Sequence, residues 1–389
     1  MNTASAEQPS AWHAPSFSES FDELFPVSPV SDPQNMSLSQ AESRGATAQS
    51  DDPRAEPHAD DRIPGAAVEP NAHAVAQFTA NPDGESAHAQ ETMLTVRVGC
   101  DLVYETIAET SFLLDVLPQL EGVQVMVGER LTLGEGMTAE PIHNSHGNRL
   151  LRVLLPPGRT EFRHDAILLT PPRPDLAGIE SAEIVPPEEL PAEVLRYTLP
   201  SRYCESDKLL GFAWATFGTI EGGWPRVRSV SQWVHENIEY RFGSGQADLS
   251  ALDIFQRKFG VCRDFAHLTI ALCRALNIPA RYVTGHLPDI VYIDPGTAMD
   301  FHAYAEVFLG GRWFALDARY NVPRIGRVKI SHGLDAVDCA FGTSYGQVFL
   351  SHFEVWAYQV ELGTVALGDP IDLSKRLDGT LELRLRMAR

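Results

Sequence analysis

The spacing of apolar residues changes period part-way along the chain, and that change restricts the fold more than any other feature. From Met93 to about Leu169 the period is two: "MLTVRVGCDLVYE", "VQVMVGERLTL", "LLRVLLPPG" and "FRHDAILL" alternate between Gly, Pro and Asn turn signals. Runs of this kind bury one face of each strand and predict an antiparallel β domain. From about residue 201 the period is three to four, as in "DKLLGFAWATFG" and "VRSVSQWVHENIEYRF". That spacing predicts helices, and strands followed by helices argue for an α+β chain.

The other boundaries follow from composition. The first 90 residues hold 14 acidic residues against three arginines, a net −11 of the chain's −21. Such a segment buries too little apolar surface to offset its conformational entropy, so residues 1–92 are expected to form a disordered acidic tail. Within it "FSESFDELF" sets Phe17, Phe21, Leu24 and Phe25 at helical spacing. The Phe17–Phe25 segment is either a chance cluster or a helix that folds on a protein partner. The expected order continues with the β domain at 93–172, a proline-spaced linker at 173–200, a mixed core at 201–330 and a C-terminal extension at 331–389. The turn-like "LDGT" and alternating "LELRLRM" predict that this extension ends in strands.

Charge and cysteine usage exclude several classes of function. A chain this acidic is not expected to bind nucleic acid or an anionic membrane unaided, because both need Lys and Arg against phosphate. "MNTASAEQPS" has neither the basic nor the apolar region of a signal peptide, and no run of about 18 apolar residues occurs, so a cytoplasmic protein is expected. The five cysteines are an odd number without CxxC spacing, which fits a reducing compartment. Any cysteine chemistry must come from a single thiolate.

Cys262 is the candidate. In "FGVCRDFAHLTIALC" it follows a Gly-Val step, and from it Phe265, Leu268, Leu272 and Ala275 form an apolar helical face that should stop near Pro279. Cys262 then lies in the first turn, where unpaired N–H groups and the helix dipole favour a thiolate over a thiol of pKa ~8.5. Cys273 lies eleven residues on, ~16 Å along the axis, too far for a disulfide or a shared metal. His267 is about 140° around the helix and points away.

A base is supplied by "MDFHAYAEVFLGGRWFALDARY", in which Gly310-Gly311 is a hairpin signal. If those glycines form the loop, cross-strand partners sum to 621, and His302 lies diagonal to Asp317 on its own face of the sheet. Such neighbours, about 7 Å apart, are within reach of a carboxylate–imidazole hydrogen bond. A nucleophile, a base and an orienting acid in the order Cys262, His302, Asp317 are what thiol acyl transfer requires.

The segments "GVCRDFAHLTIALCRALNIPARYVTGH" and "DFHAYAEVFLGGRWFALDAR", with "LPSRYCESDKL" upstream and "NVPRIGRVKISHGLDAVDCAFGTSYG" downstream, resemble the transglutaminase-like superfamily, in particular its bacterial branch with an N-terminal β region. The resemblance covers roughly 93 to 360 and implies a papain-like core. It also implies Cys262 as nucleophile, His302 as base and Asp317 as acid. Where the family commonly has Trp or Phe two residues after the histidine, this chain has Tyr304. Gln246 and Tyr240 are candidate side-chain oxyanion donors. Members include amide cross-linkers, peptidases, amidases and proteins without demonstrated activity, so a peptide or protein amide substrate is implied. The alternative is a non-catalytic binding module of the same fold. No cofactor or metal is expected: no DxDxDG loop occurs, and "DIVYIDPGTAMD", with Asp289, Asp294 and Asp300, reads as a surface loop.

"RYNVPRIGRVK", from Arg319 to Lys329, holds four positive charges and no acid. Following directly on Asp317, it should border the cleft. Arg319, Arg324 and Arg327 are therefore candidates to meet a substrate carboxylate, since guanidinium binds carboxylate bidentately. The alternative is that they pair with acids of the same protein.

Overall fold

A computed structural model describes residues 93–120, 122–291 and 299–378. The expectations for the acidic tail, the Phe17–Phe25 segment, Asp294 and the "LELRLRM" strand fall outside those residues. Six strands come first: β1 (Leu94–Thr106), β2 (Thr110–Leu114), β3 (Val125–Leu133), β4 (Ala139–His143), β5 (Arg149–Leu155) and β6 (Gly158–Thr170). Then follow α1 (Ala192–Leu195), α2 (Leu210–Phe217), α3 (Gly223–Asn237), the short β7 (Glu239–Tyr240), α4 (Ala251–Arg257), the short β8 (Phe259–Gly260) and α5 (Cys262–Ala275). Next come β9 (Ala280–His286), β10 (His302–Leu309), β11 (Arg312–Leu316) and β12 (Val328–Gly333), and last β13 (Gly342–Ser344) and β14 (Val348–Gln359). No helix among the described residues is long and apolar enough to cross a membrane.

The β region consists of two antiparallel sheets, ordered β14-β1-β6-β3 and β13-β2-β5-β4. Two of these strands come from the stretch 331–389, read as a C-terminal extension: β14 runs along β1 from Val96↔Gln359 to Thr106↔Val348, and β13 pairs with β2. The helical core is therefore inserted between strands of one β unit. Alternation in sequence finds strands but carries no signal for pairing across so many residues.

The alternating pattern did identify the apolar face of β1. Val96 and Val98 pack with Ala166, Leu168 and Val328, while Leu102 and Tyr104 pack with Phe112 and Phe162. The opposite face is also covered, because Arg97 is buried there in an ion pair with Asp165 at 2.8 Å. The same guanidinium donates to the Asp369 carbonyl, so the chain beyond β14 lies over it.

The proline-spaced stretch 173–200 is not a free linker. Ile179 and Ala182 join the apolar core of the helical region, and Leu190 and Val194 pack on Phe308. Prolines spaced along a chain suit an extended strap as well as a spacer, and here buried apolar residues between them hold it down.

The central helix α5 is buried from Asp264 to Ala275. It packs on the third antiparallel sheet, β11-β10-β9-β12, with α2, α3 and α4 around it. Leu268, Ile270 and Leu272 are fully buried, each stabilising by roughly 1.5–3 kcal/mol. These contacts fix where the helix starts and therefore where Cys262 sits.

Gly310 and Gly311 both have positive φ, 55° and 85°, as a two-residue hairpin turn of matching twist requires. Their hairpin has the 621 register, from Leu309↔Arg312 to Ala305↔Leu316. His302 pairs on its other side with Gly285 of β9. A Cβ on Gly285 would lie 2.3 Å from the Val328 carbonyl oxygen of β12. Gly285→Ala is therefore expected to force β9 and β12 apart at a cost of about 1–3 kcal/mol. Thermal unfolding measures this, and an unchanged Tm would show that β12 yields freely.

Candidate active site

Cys262 is the first residue of α5, after Val261 at the N-cap. The Val261 N–H donates to Asp264 Oδ2 at 2.9 Å, and Arg263 holds the other oxygen of that carboxylate at 3.1 Å. Just upstream, β8 pairs in parallel with β7, Tyr240 opposite Gly260. This ladder brings Tyr240 to the helix start, and one cleft is lined by Tyr240, Cys262, Asp289, Asp300, His302 and Arg319.

His302 is fixed by the residue before it. Phe301 is inserted in the aromatic core of the β region, 5.5 Å from the Phe341 ring and 5.9 Å from Phe353. The β region thus anchors the start of β10. Asp317 lies one residue past β11, in a turn held from α3. The Asn321 N–H donates to the Asp317 carbonyl at 2.7 Å, and Ser231 of α3 donates to the Asn321 side chain at 2.8 Å. Asn321 has a φ of 52°, a conformation asparagine tolerates better than most residues.

The structure brings His302 and Asp317 together: Nε2 and Oδ2 are 2.7 Å apart, with both side chains nearly buried. A carboxylate accepting there requires the proton on Nε2 and leaves Nδ1 as the unprotonated nitrogen. Burial alone would raise the Asp317 carboxyl, but His302 and Arg327 outweigh it and hold the group well below the usual carboxylate range. Burial pushes the His302 imidazole down, and Asp317 offsets only part of that.

The Cys262 thiol differs from expectation. Burial pushes it up to about 11, against a hydrogen bond from the Ala303 backbone and the nearby Arg319 charge, both of which favour the thiolate. A helix start was expected to lower it, yet loss of hydration costs the anion more than the first turn returns. Burial thus opposes ionisation of the thiol and of the imidazole alike. Cys273 is a core thiol, and His267 is stacked on Tyr203 and tilted against Tyr282, with Nε2 accepting from the Ala336 N–H.

The other candidates divide. Arg319 reaches the Cys262 cleft, with its guanidinium 3.7 Å from the Tyr240 ring centroid. Arg324 is 2% exposed and donates to the Pro288 carbonyl at 3.1 Å. Arg327 is bound by two carboxylates, Asp175 at 2.6 Å and Asp317 at 2.8 Å. Arg324 and Arg327 are thus turned inward, because the acids and carbonyls that satisfy them come from distant segments. Gln246 is exposed, and its carbonyl accepts from Arg263, the residue after Cys262. Asp289 and Asp300, read as part of a surface loop, line the cleft, and Asp289 is paired with Arg376 at 3.0 Å. Asp175 carried no signal in the sequence.

A sequence model of the transglutaminase-like superfamily matches residues 216–318, which include Cys262, His302 and Asp317. Among solved structures, a candidate cysteine protease from Cytophaga hutchinsonii is 32% identical with a TM-score of 0.64, over 72% of this chain and 95% of that one. An uncharacterized protein of Mycobacterium leprae is 34% identical over 89 residues, 22% of this chain and 32% of its own length. One of Mycobacterium tuberculosis is 32% identical over 103 residues, 23% of this chain and 32% of its own. The chain spans about a third of the length of these curated relatives.

Proposed function

The chain belongs to the transglutaminase-like superfamily, and from that premise we propose that it cleaves or transfers an amide acyl group through a thioester on Cys262. The observation that carries this reading is the 2.7 Å His302–Asp317 contact beside the cleft that holds Cys262. The similarity to a candidate cysteine protease supports cysteine-based chemistry.

In this mechanism Sγ attacks the amide carbonyl carbon while His302 Nδ1 takes the thiol proton. The C–N bond then breaks, the imidazolium gives its proton to the leaving amine, and a thioester remains. Water, deprotonated by the same nitrogen, releases the acid and the free thiol; a primary amine in place of water gives transfer. Asp317 keeps the proton on Nε2 and stabilises the imidazolium. Hydrolysis is the favoured branch, since water is always present to resolve a thioester. The α5 N-terminus and Tyr240 face the cleft and are the candidate oxyanion donors. Arg319 is the candidate contact for a substrate carboxylate. The cytoplasmic location expected from cysteine usage is retained as part of this reading.

Two measurements test it. Iodoacetamide labelling, mapped by peptide, should find Cys262 the most reactive cysteine, with a rate still rising above pH 9 because burial holds its thiol near 11. A plateau below pH 8 would instead mean a preformed thiolate–imidazolium pair. p-Nitrophenyl acetate should give a nitrophenolate burst that Cys262→Ala abolishes. With glutamine peptides, ammonia release without an added amine marks hydrolysis, and amine incorporation marks transfer. No burst and no selective labelling would favour the binding-module alternative.

A further inference from the structure

We propose that Arg327, anchored by Asp175, is a positioning residue that holds the Asp317 carboxylate against His302. The inference rests on the acyl-transfer reading of Cys262. Four groups, His302 and Asp317 buried and Arg327 and Asp175 largely so, are joined in series: Asp175 Oδ2 to Arg327 Nε at 2.6 Å, Arg327 Nη2 to Asp317 Oδ2 at 2.8 Å, and Asp317 Oδ2 to His302 Nε2 at 2.7 Å. Asp317 Oδ2 thus accepts from the base and from the arginine at once. One oxygen held by two donors from different segments has little freedom to rotate away.

The four groups come from four separate segments. His302 begins β10, Asp317 follows β11, Arg327 directly precedes β12, and Asp175 lies in the strap after β6. The guanidinium also lies over the Tyr304 ring, 4.5 Å from its centroid, and that ring is stacked with His302 at 6.3 Å. The aromatic residue two positions after the histidine therefore forms a wall on which the arginine rests. Burying a guanidinium is costly unless it is paired, and this one has a carboxylate on each side. A carboxylate–imidazole pair alone would not need the second acid. Asp175 has the geometry of an anchor: its Oδ2 also accepts from the Arg324 N–H at 3.2 Å, so it fixes the loop that carries Arg327.

The test uses the full chain and p-nitrophenyl acetate. Arg327→Gln should slow the Cys262 acylation burst about tenfold, as losses of outer-shell partners do, and Asp175→Asn should slow it by less. Arg327→Lys should recover part of the rate, since an ammonium keeps the charge without the fork. In an Asp317→Asn background, Arg327→Gln should cost nothing further, because its effect passes through that carboxylate. Independently of turnover, ¹⁵N spectra of the histidine rings should show His302 as a single Nε2–H tautomer in the wild type and as a mixture in Arg327→Gln. Equal losses in both backgrounds, or a tautomer unchanged in Arg327→Gln and Asp175→Asn, would overturn the proposal. If the wild type gives no Cys262-dependent burst, the acyl-transfer reading falls, and the tautomer alone decides the positioning.

Discussion

Asp317→Ala is expected to reduce the rate of Cys262 acylation by roughly 10⁴-fold, the size seen when the orienting acid of such a triad is lost. Two effects combine. Without the carboxylate, nothing holds the proton on Nε2, so the nitrogen that should take the thiol proton is no longer kept free. The charge that offsets burial at His302 is also gone, so the imidazole is pushed further down and becomes a weaker base. The sign is testable: the acid limb of the pH–rate profile should move to lower pH while the plateau falls. A variant that had merely lost its fold would lose amplitude without shifting that limb. A rate within threefold of wild type would mean that Asp317 is structural and that the proposed mechanism lacks its acid.

The largest expected loss of stability comes from Arg274, near the end of α5. It is 2% exposed and makes four hydrogen bonds: to the carbonyls of Ala280 at 2.9 Å, Leu199 at 3.1 Å and Leu334 at 2.7 Å, and to Ser201 Oγ at 3.1 Å. These acceptors belong to the strap, to β9 and to the segment after β12, so one side chain ties α5 to three parts of the chain. Arg274→Met keeps most of the volume but leaves buried acceptors without a donor, at about 1–3 kcal/mol each before the site relaxes. A net loss of about 3–5 kcal/mol is expected, read as a fall in denaturant midpoint with an unchanged m-value. A midpoint within experimental error of wild type would show that water replaces the guanidinium fully.

Local patterns in the sequence carried the parts of the site that lie on single elements. Gly310-Gly311 signals a hairpin, and with those two glycines as the loop the register puts His302 and Asp317 on one face; the structure has that turn and that register. The Gly-Val step and the apolar periodicity to Ala275 placed Cys262 at a helix start. What was illegible depended on segments meeting at a distance. Arg324 and Arg327 looked like cleft residues because their own stretch holds no acid; Asp175, which binds Arg327, lies 152 residues upstream. The thiol follows the same logic: a helix dipole is a property of one element, whereas desolvation comes from everything packed around it. The strap at 173–200 looked like a linker because proline spacing records backbone stiffness and not what the side chains between the prolines bury.

The pairing of β14 with β1 has a consequence for biosynthesis. A ribosome releases β1 some 240 residues before the strand that completes its sheet. Throughout that interval β1 and β2 each have one flank open, a template for unwanted strand addition. The helical insert must fold, or at least stay compact, while its host remains unfinished. Expression fragments cut after β12 would leave β1 and β2 permanently open and should aggregate, whereas fragments retaining residues through 378 should not.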